Sequence, residues 1–250
     1  MRYISPIIIQ TAKDFWKNAG GNNTFPCDIT GAVNLVLPID IVSLSELSVN
    51  KIQSWLNERK VFFDLEIDNR LLHGFILIAR GAGFIFINGT DTEEERRYTI
   101  AHEASHFLLD YQLPRANAVK KLGDGILEVM DGYREPTIEE RIDGTLTSIS
   151  IKSYTHLLEK IGDGTFDNTE ILNAENGADE LALELLAPHS IVIKDTNPNR
   201  NKISFYDFKN QCYQILRNKY MIPASISEAY SSKLAYIATG APSLLSKLGF

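Results

Sequence analysis

Residues 98–110 read Y-T-I-A-H-E-A-S-H-F-L-L-D, and three of them have the types and spacing to hold a metal ion and use it. His102 and His106 are four apart. An α-helix advances about 3.6 residues per turn, so both imidazoles fall on one face and can reach a single cation. Glu103 is rotated by about 100° from His102, which sets it beside the pair. There a carboxylate can take a proton from a water held by the ion without being a ligand itself. The chemistry on offer is metal-assisted hydrolysis. H-E-x-x-H alone does not decide the matter, because a surface helix with two solvated histidines has the same letters.

A hydrolytic zinc uses three protein ligands and leaves a fourth position for water. The spare nitrogen and sulfur donors are His73, His156, His189, Cys27 and Cys212, and none sits in a second recognisable motif. The stretch N-A-E-N-G-A-D-E-L-A-L-E-L-L-A, residues 173–187, offers Glu175 and Asp179, again four apart on one helical face. A Glu can complete a His₂Glu set, and an Asp one turn on can accept the N–H of a ligating histidine and fix its tautomer. The rest of that helix is largely apolar (Ala178, Leu181, Ala182, Leu185, Leu186), so this side of it faces inward. A carboxylate beside such a stripe is costly to bury unless it is paired or metal-bound.

These residues need two helices and something to hold them. Thr92 opens the first: T-E-E-E fits a capping box, with Glu95 reaching back, and acidic residues crowd the turn where the helix dipole favours them. It runs to about Asp110. Pro188 stops the second helix. Upstream, residues 8–18 read as a short helix. Residues 43–60 carry Leu44, Leu47, Ile52, Trp55 and Leu56 at helical spacing as a core-facing stripe, with a break near Ser48–Asn50. V-F-F-D-L-E-I (61–67), L-L-H-G-F-I-L-I-A-R (71–80) and F-I-F-I-N (84–88) read as strands of a small antiparallel meander, with D-N-R and G-A-G as turns. Residues 112–172 hold two G-D-G turns and a strand or helix at 145–160; D-x-T-x-D at Asp163–Asp167 lacks the Gly and distal Glu of a calcium loop and reads as a turn. Residues 205–240 read as helical pieces broken at M-I-P (221–223). The fold class is α+β: a small antiparallel sheet packed on the H-E-x-x-H helix and a second ligand-bearing helix, with a helical C-terminal region.

At 250 residues, 44% hydrophobic and 23% charged, the chain can bury a sizeable core. A net charge of −7 argues against direct nucleic-acid binding by a protein that is basic all over. The sign is uneven, however. From Lys194 on, eight basic residues (Lys194, Arg200, Lys202, Lys209, Arg217, Lys219, Lys233, Lys247) face only Asp195, Asp207 and Glu228. That reads as a solvated basic face, or as a docking surface for an acidic partner. Two distant cysteines make neither a zinc knuckle nor a disulfide framework. No segment approaches a membrane span or a signal peptide, so the expectation is a soluble cytoplasmic protein.

On these stretches the chain resembles the ImmA/IrrE-type metallopeptidases. G-F-I-F-I-N-G-T-D-T-E-E-E-R-R-Y-T-I-A-H-E-A-S-H-F-L-L-D (83–110) is similar to the family's strand, helix start and H-E-x-x-H helix. E-N-G-A-D-E-L-A-L-E-L-L-A-P (175–188) is similar to its E-x-x-A-[ND]-x-x-A-x-x-L-L-x-P, and L-P-I-D-I (37–41) to the P-x-D-I that opens its domain. The resemblance implies a gluzincin-like pattern: ligands His102, His106 and Glu175, general base Glu103, and Asp179 supporting a histidine. It implies zinc, with manganese or iron not excluded by a His₂Glu set. It further implies a narrow protein substrate, a DNA-binding transcriptional repressor or another regulatory protein. Ser105 stands where the family usually has Gly. The gap from His106 to Glu175 is longer than the family's, so the expected organisation is a peptidase domain at 1–188, interrupted by an insertion at about 112–172, followed by a helical region at 189–250. His156, His189 and several tyrosines are candidates to stabilise an oxyanion. The rival expectation is a non-catalytic, metal-containing binding protein acting through the insertion and the basic C-terminal region.

Overall fold

The computed structural model describes residues 3–22, 24–61, 63, 65, 69–146, 169–197 and 203–240. In chain order the elements are α1 (Pro6–Asn18), α2 (Ile29–Val36), β1 (Ile39–Leu44), α3 (Val49–Glu58), β2 (Gly74–Ala79), β3 (Ala82–Asn88) and α4 (Glu93–His106). A π-helical turn, Phe107–Gln112, then leads into α5 (Leu113–Leu122), α6 (Ile126–Met130) and α7 (Ile138–Leu146). The rest are α8 (Thr169–Leu186), α9 (His189–Thr196), α10 (Phe205–Asn218) and α11 (Ala224–Thr239). The class is α+β, as the sequence implies. The chain falls into two compact units. One holds Met1–Val36, Asp91–Ala101 and Glu180–Phe250; the other holds Leu37–Thr90 and His102–Asp179.

The second unit carries the sheet. Its order is β1-β3-β2, with β2 antiparallel and β1 parallel to the central β3. The expected meander is therefore corrected to a mixed sheet. The 71–80 and 84–88 runs do form a hairpin, but the third strand is β1, from the L-P-I-D-I segment, and residues 62, 64, 66 and 67 of the 61–67 run lie outside the described residues. Asp40 and Ser43 make β1 look too polar for a strand, and a parallel partner some forty residues away leaves no local signal. Arg80 and Gly81, both at positive φ (51° and 89°), turn the hairpin between the Ala79–Ala82 pair. Such a two-residue turn matches the twist of the strands it joins. Adding a Cβ to Gly83 would place it 2.7 Å from the Leu77 carbonyl oxygen, so glycine is required there as well.

Alternation along β3 buries both faces of the sheet. Phe86 packs with Phe75, Leu77, Leu47 and with Ile52 and Leu56 of α3, and Trp55 meets Phe84 and Phe86 edge-on at 5.2 and 5.3 Å. Ile85 and Ile76, pointing the other way, are fully buried too. α3 starts at its cap Ser48, so only the second half of the 43–60 stripe is helix; Leu44 ends β1.

The turn after α4 ties the site helix to the sheet. Tyr111 Oη accepts a hydrogen bond from the Gly81 N–H at 2.7 Å. Arg115 lies over the Tyr111 ring at 4.8 Å and is held by both oxygens of Asp131 at 2.8 and 2.9 Å. α5, α6 and α7 occupy the start of the expected insertion; residues 147–168, including most of the 145–160 element, the second G-D-G and Asp163–Asp167, lie outside the described residues.

The first unit is helical. Its interior is lined by Phe15, Val33, Leu181, Leu185, Phe208, Leu216 and Leu234, and the Trp16 indole N–H donates to Leu185 O at 3.1 Å. α10 and α11 form the expected C-terminal helical pair, parted at Met221–Pro223. Among the described residues of the basic face, Lys209 pairs with Glu228, Arg217 with Glu94, Lys219 with Asp195 and Lys233 with Glu180. Cys27 and Cys212 are buried free thiols. No helix among the described residues is long and apolar enough to cross a membrane.

Candidate metal centre

α4 begins with the expected capping box. Thr92 N–H and Oγ1 each lie 2.9 Å from Glu95 Oε2, and Glu95 N–H returns to Thr92 Oγ1 at 3.3 Å. Ala101, Ala104 and Ser105 are fully buried. Small side chains there let the helix sink into the protein and take Glu103 and His106 with it, both buried, while His102 keeps slight exposure. On α8, Ala178, Leu181, Ala182 and Leu185 are fully buried, and Glu175 lies buried beside them.

The two helices bring their polar groups to one point. His102 Nε2 and His106 Nε2 are 3.1 Å apart. Glu175 presents one carboxylate oxygen to each, at 3.5 Å from His102 Nε2 and 3.4 Å from His106 Nε2. Behind the rings, His102 Nδ1 meets Asp179 at 2.9 Å and His106 Nδ1 meets Asp110 at 2.7 Å. Asp110 was not singled out from the sequence, although it is four residues beyond His106 and so obeys the same-face rule that pairs His102 with His106. Among the described residues His73, His189, Cys27 and Cys212 join no group of three metal-donor side chains. His73 is exposed, His189 Nδ1 is held by Glu184 at 2.9 Å, and His156 lies outside the described residues.

A neutral imidazole has one N–H and one lone pair. With each Nδ1 facing an aspartate, both Nε2 lone pairs and the Glu175 carboxylate point at the same place. Donors of like polarity this close require a positive charge between them. In the metal-free protein protons supply it. Burial alone would push both imidazoles down; the carboxylates of Asp179 and Glu175 nevertheless hold His102 up at about 10, and those of Asp110 and Glu175 hold His106 up at about 9. Burial likewise opposes the Glu175 charge, yet the two histidines keep its carboxyl far below the usual carboxylate range.

The spacing also fits a divalent ion. Ligands about 2.0–2.1 Å from a tetrahedral ion stand about 3.4 Å from one another, and the three donor separations here are 3.1, 3.4 and 3.5 Å. Two histidines and a carboxylate are the donor set of hydrolytic zinc sites with an open fourth position.

Residues 60–129 match the family model of the IrrE N-terminal-like domain, a peptidase family. The match bears out the resemblance to the ImmA/IrrE-type family and suggests a peptidase. It takes in β2, β3, α4 with its histidines, and α5; it stops short of Glu175 on α8, which the three-dimensional arrangement joins to them. No curated protein and no solved structure gives a significant match.

Proposed function

We propose that this chain is a metal-dependent endopeptidase, with His102, His106 and Glu175 as the metal ligands and Glu103 as the general base. The observation that carries the reading is the convergence of three donor side chains, from two helices far apart in sequence, at the separations of a tetrahedral edge. Zinc is the ion that best suits a His₂Glu set, with manganese as the other candidate. Bound there, the ion supplies Lewis acidity toward water and toward a scissile carbonyl.

The chain's own residues do the rest. Asp179 and Asp110 hold the two rings with Nε2 presented to the ion. Glu103, one residue from His102 and buried, would accept the proton of the attacking water and return it to the leaving amine. A carboxylate that merely tuned a metal-storage site would not need to sit at that position. The substrate we propose is a regulatory protein, a DNA-binding repressor in the first instance, cut at one site; this rests on the family resemblance. The rival, a non-catalytic metal-containing binder working through the insertion and the basic C-terminal region, loses support in its C-terminal part from the pairing of Lys209, Arg217, Lys219 and Lys233 with carboxylates.

The test is a peptide library incubated with the zinc-loaded chain and with its Glu103→Gln variant, products read by mass spectrometry. The variant should retain its metal and cleave roughly 10²–10⁴-fold more slowly, the usual contribution of a general base. Equal cleavage by both would remove Glu103 from the mechanism. Metal binding without cleavage of any peptide or candidate repressor would favour the binding-protein reading.

A further inference from the structure

We infer that Asp110 is the positioning carboxylate of His106, the counterpart on α4's own continuation of what Asp179 is to His102. The inference rests on the metal-centre reading above and adds to it a residue that the H-E-x-x-H motif does not mark. His106 is the more deeply set of the two ligands, with its side chain only 3% exposed, and its Nδ1 lies 2.7 Å from Asp110 Oδ2, the shorter of the two histidine–aspartate contacts. Asp110 is itself better shielded than Asp179, 26% against 52% exposed, so its hydrogen bond is less diluted by water.

The placement has a structural cause. Asp110 lies within the π-helical turn that follows His106, where Leu113 N–H reaches back to Leu108 O, five residues away. Widened turns of this kind recur at functional sites. Here the same turn directs Asp110 to His106 and Tyr111 to the Gly81 N–H, so the residue that orients the ligand is on a segment anchored to the sheet. His102, by contrast, is held from α8. One bond braces the helix pair, and the other locks a ligand within its own helix.

What Asp110 does follows from the imidazole. A neutral ring must place its single proton on Nδ1 or Nε2, and a proton on Nε2 would stand where the ion belongs. An acceptor at Nδ1 selects the productive tautomer, fixes the ring against rotation and raises the basicity of Nε2. Losing such a partner typically costs a metal site 10–100-fold in affinity.

The experiment titrates metal-stripped wild type, Asp110→Asn and Asp110→Ala with Zn²⁺ in competition with a chromophoric chelator. In parallel, ¹H–¹⁵N spectra of the loaded proteins follow the His106 Nδ1–H, whose downfield shift and slow exchange with solvent report its bond to Asp110. Alanine should weaken binding about 10–100-fold. Asparagine, which still offers an oxygen to Nδ1–H but no charge, should recover part of that loss and keep part of the downfield shift and slowed exchange, which alanine should lose. If alanine fails to fold, the isosteric asparagine carries the test alone. Wild-type affinity and an unchanged His106 signature in both variants would overturn the role of Asp110 while leaving the metal centre intact. A wild-type chain that binds no zinc would instead overturn the metal-centre reading, and this inference with it.

Discussion

Replacing Glu175 tests whether α4 and α8 share one site. Its carboxylate is the only acidic group of the three donors, its side chain is 10% exposed, and it faces both Nε2 atoms within 3.5 Å. Removing one member of a buried charge-paired set costs about 3–5 kcal/mol. At about 1.4 kcal/mol per tenfold, that is roughly two to three and a half powers of ten in metal affinity. Solvent screening takes little from this figure, because so little of the side chain reaches water. Glu175→Ala and Glu175→Gln should both fall by this order, since glutamine fills the space without supplying the charge. The assay is elemental analysis of each protein after dialysis against a graded series of chelator concentrations. A second readout follows from the geometry: both imidazoles lose a carboxylate they share, so their titration in the metal-free variant should move down from about 10 and about 9 toward the ordinary histidine range. Metal held at wild-type stoichiometry and affinity by both variants would refute the reasoning and move the third ligand elsewhere.

Two further expectations concern stability. His102 and His106 are raised in the folded, metal-free protein above the 6.5 of a free histidine, so between about pH 6.5 and 9 the folded state binds more protons than the unfolded. Their stabilisation is complete below that window and lost as pH rises through about 9 and 10; melting temperatures in chelator should therefore fall from pH 7 to pH 10, and fall less in a His102→Ala/His106→Ala variant, whereas equal slopes would contradict the pairing. Gly177, within α8, has room for a methyl group, since an added Cβ would sit 3.6 Å from Leu109 Cδ1, an ordinary contact. Gly177→Ala should stabilise the chain by about 0.5–1 kcal/mol through helix propensity, measured by urea denaturation; destabilisation would mean the two helices are packed more tightly there than this distance implies.

Local rules were enough for much of this molecule. Helical period alone put His102 and His106 on one face, the T-E-E-E capping box located the start of α4, and Pro188 and the M-I-P break marked helix ends now seen at Leu186 and Asn218. These are short-range effects, set by residues within a turn or two of one another, so one-dimensional order carries them. Asp110 belonged to that class as well and was legible by the same spacing, but H-E-x-x-H draws attention to its own letters and not to the acid one turn beyond. What the linear order did not carry was pairing at a distance. That β1 lies parallel to β3 depends on a crossover through α3 and β2, and a parallel partner contributes no turn signal. That Lys209, Arg217, Lys219 and Lys233 pair with Glu228, Glu94, Asp195 and Glu180 depends on which helices lie side by side. The tertiary structure also decided that Glu175 arrives 3.4–3.5 Å from two imidazoles some seventy residues upstream. Spacing in sequence sets the donors of one helix, but only the packing of two helices can close a three-donor site, because the free energy that holds a third carboxylate there comes from the buried stripe of α8 and not from the carboxylate's neighbours in the chain.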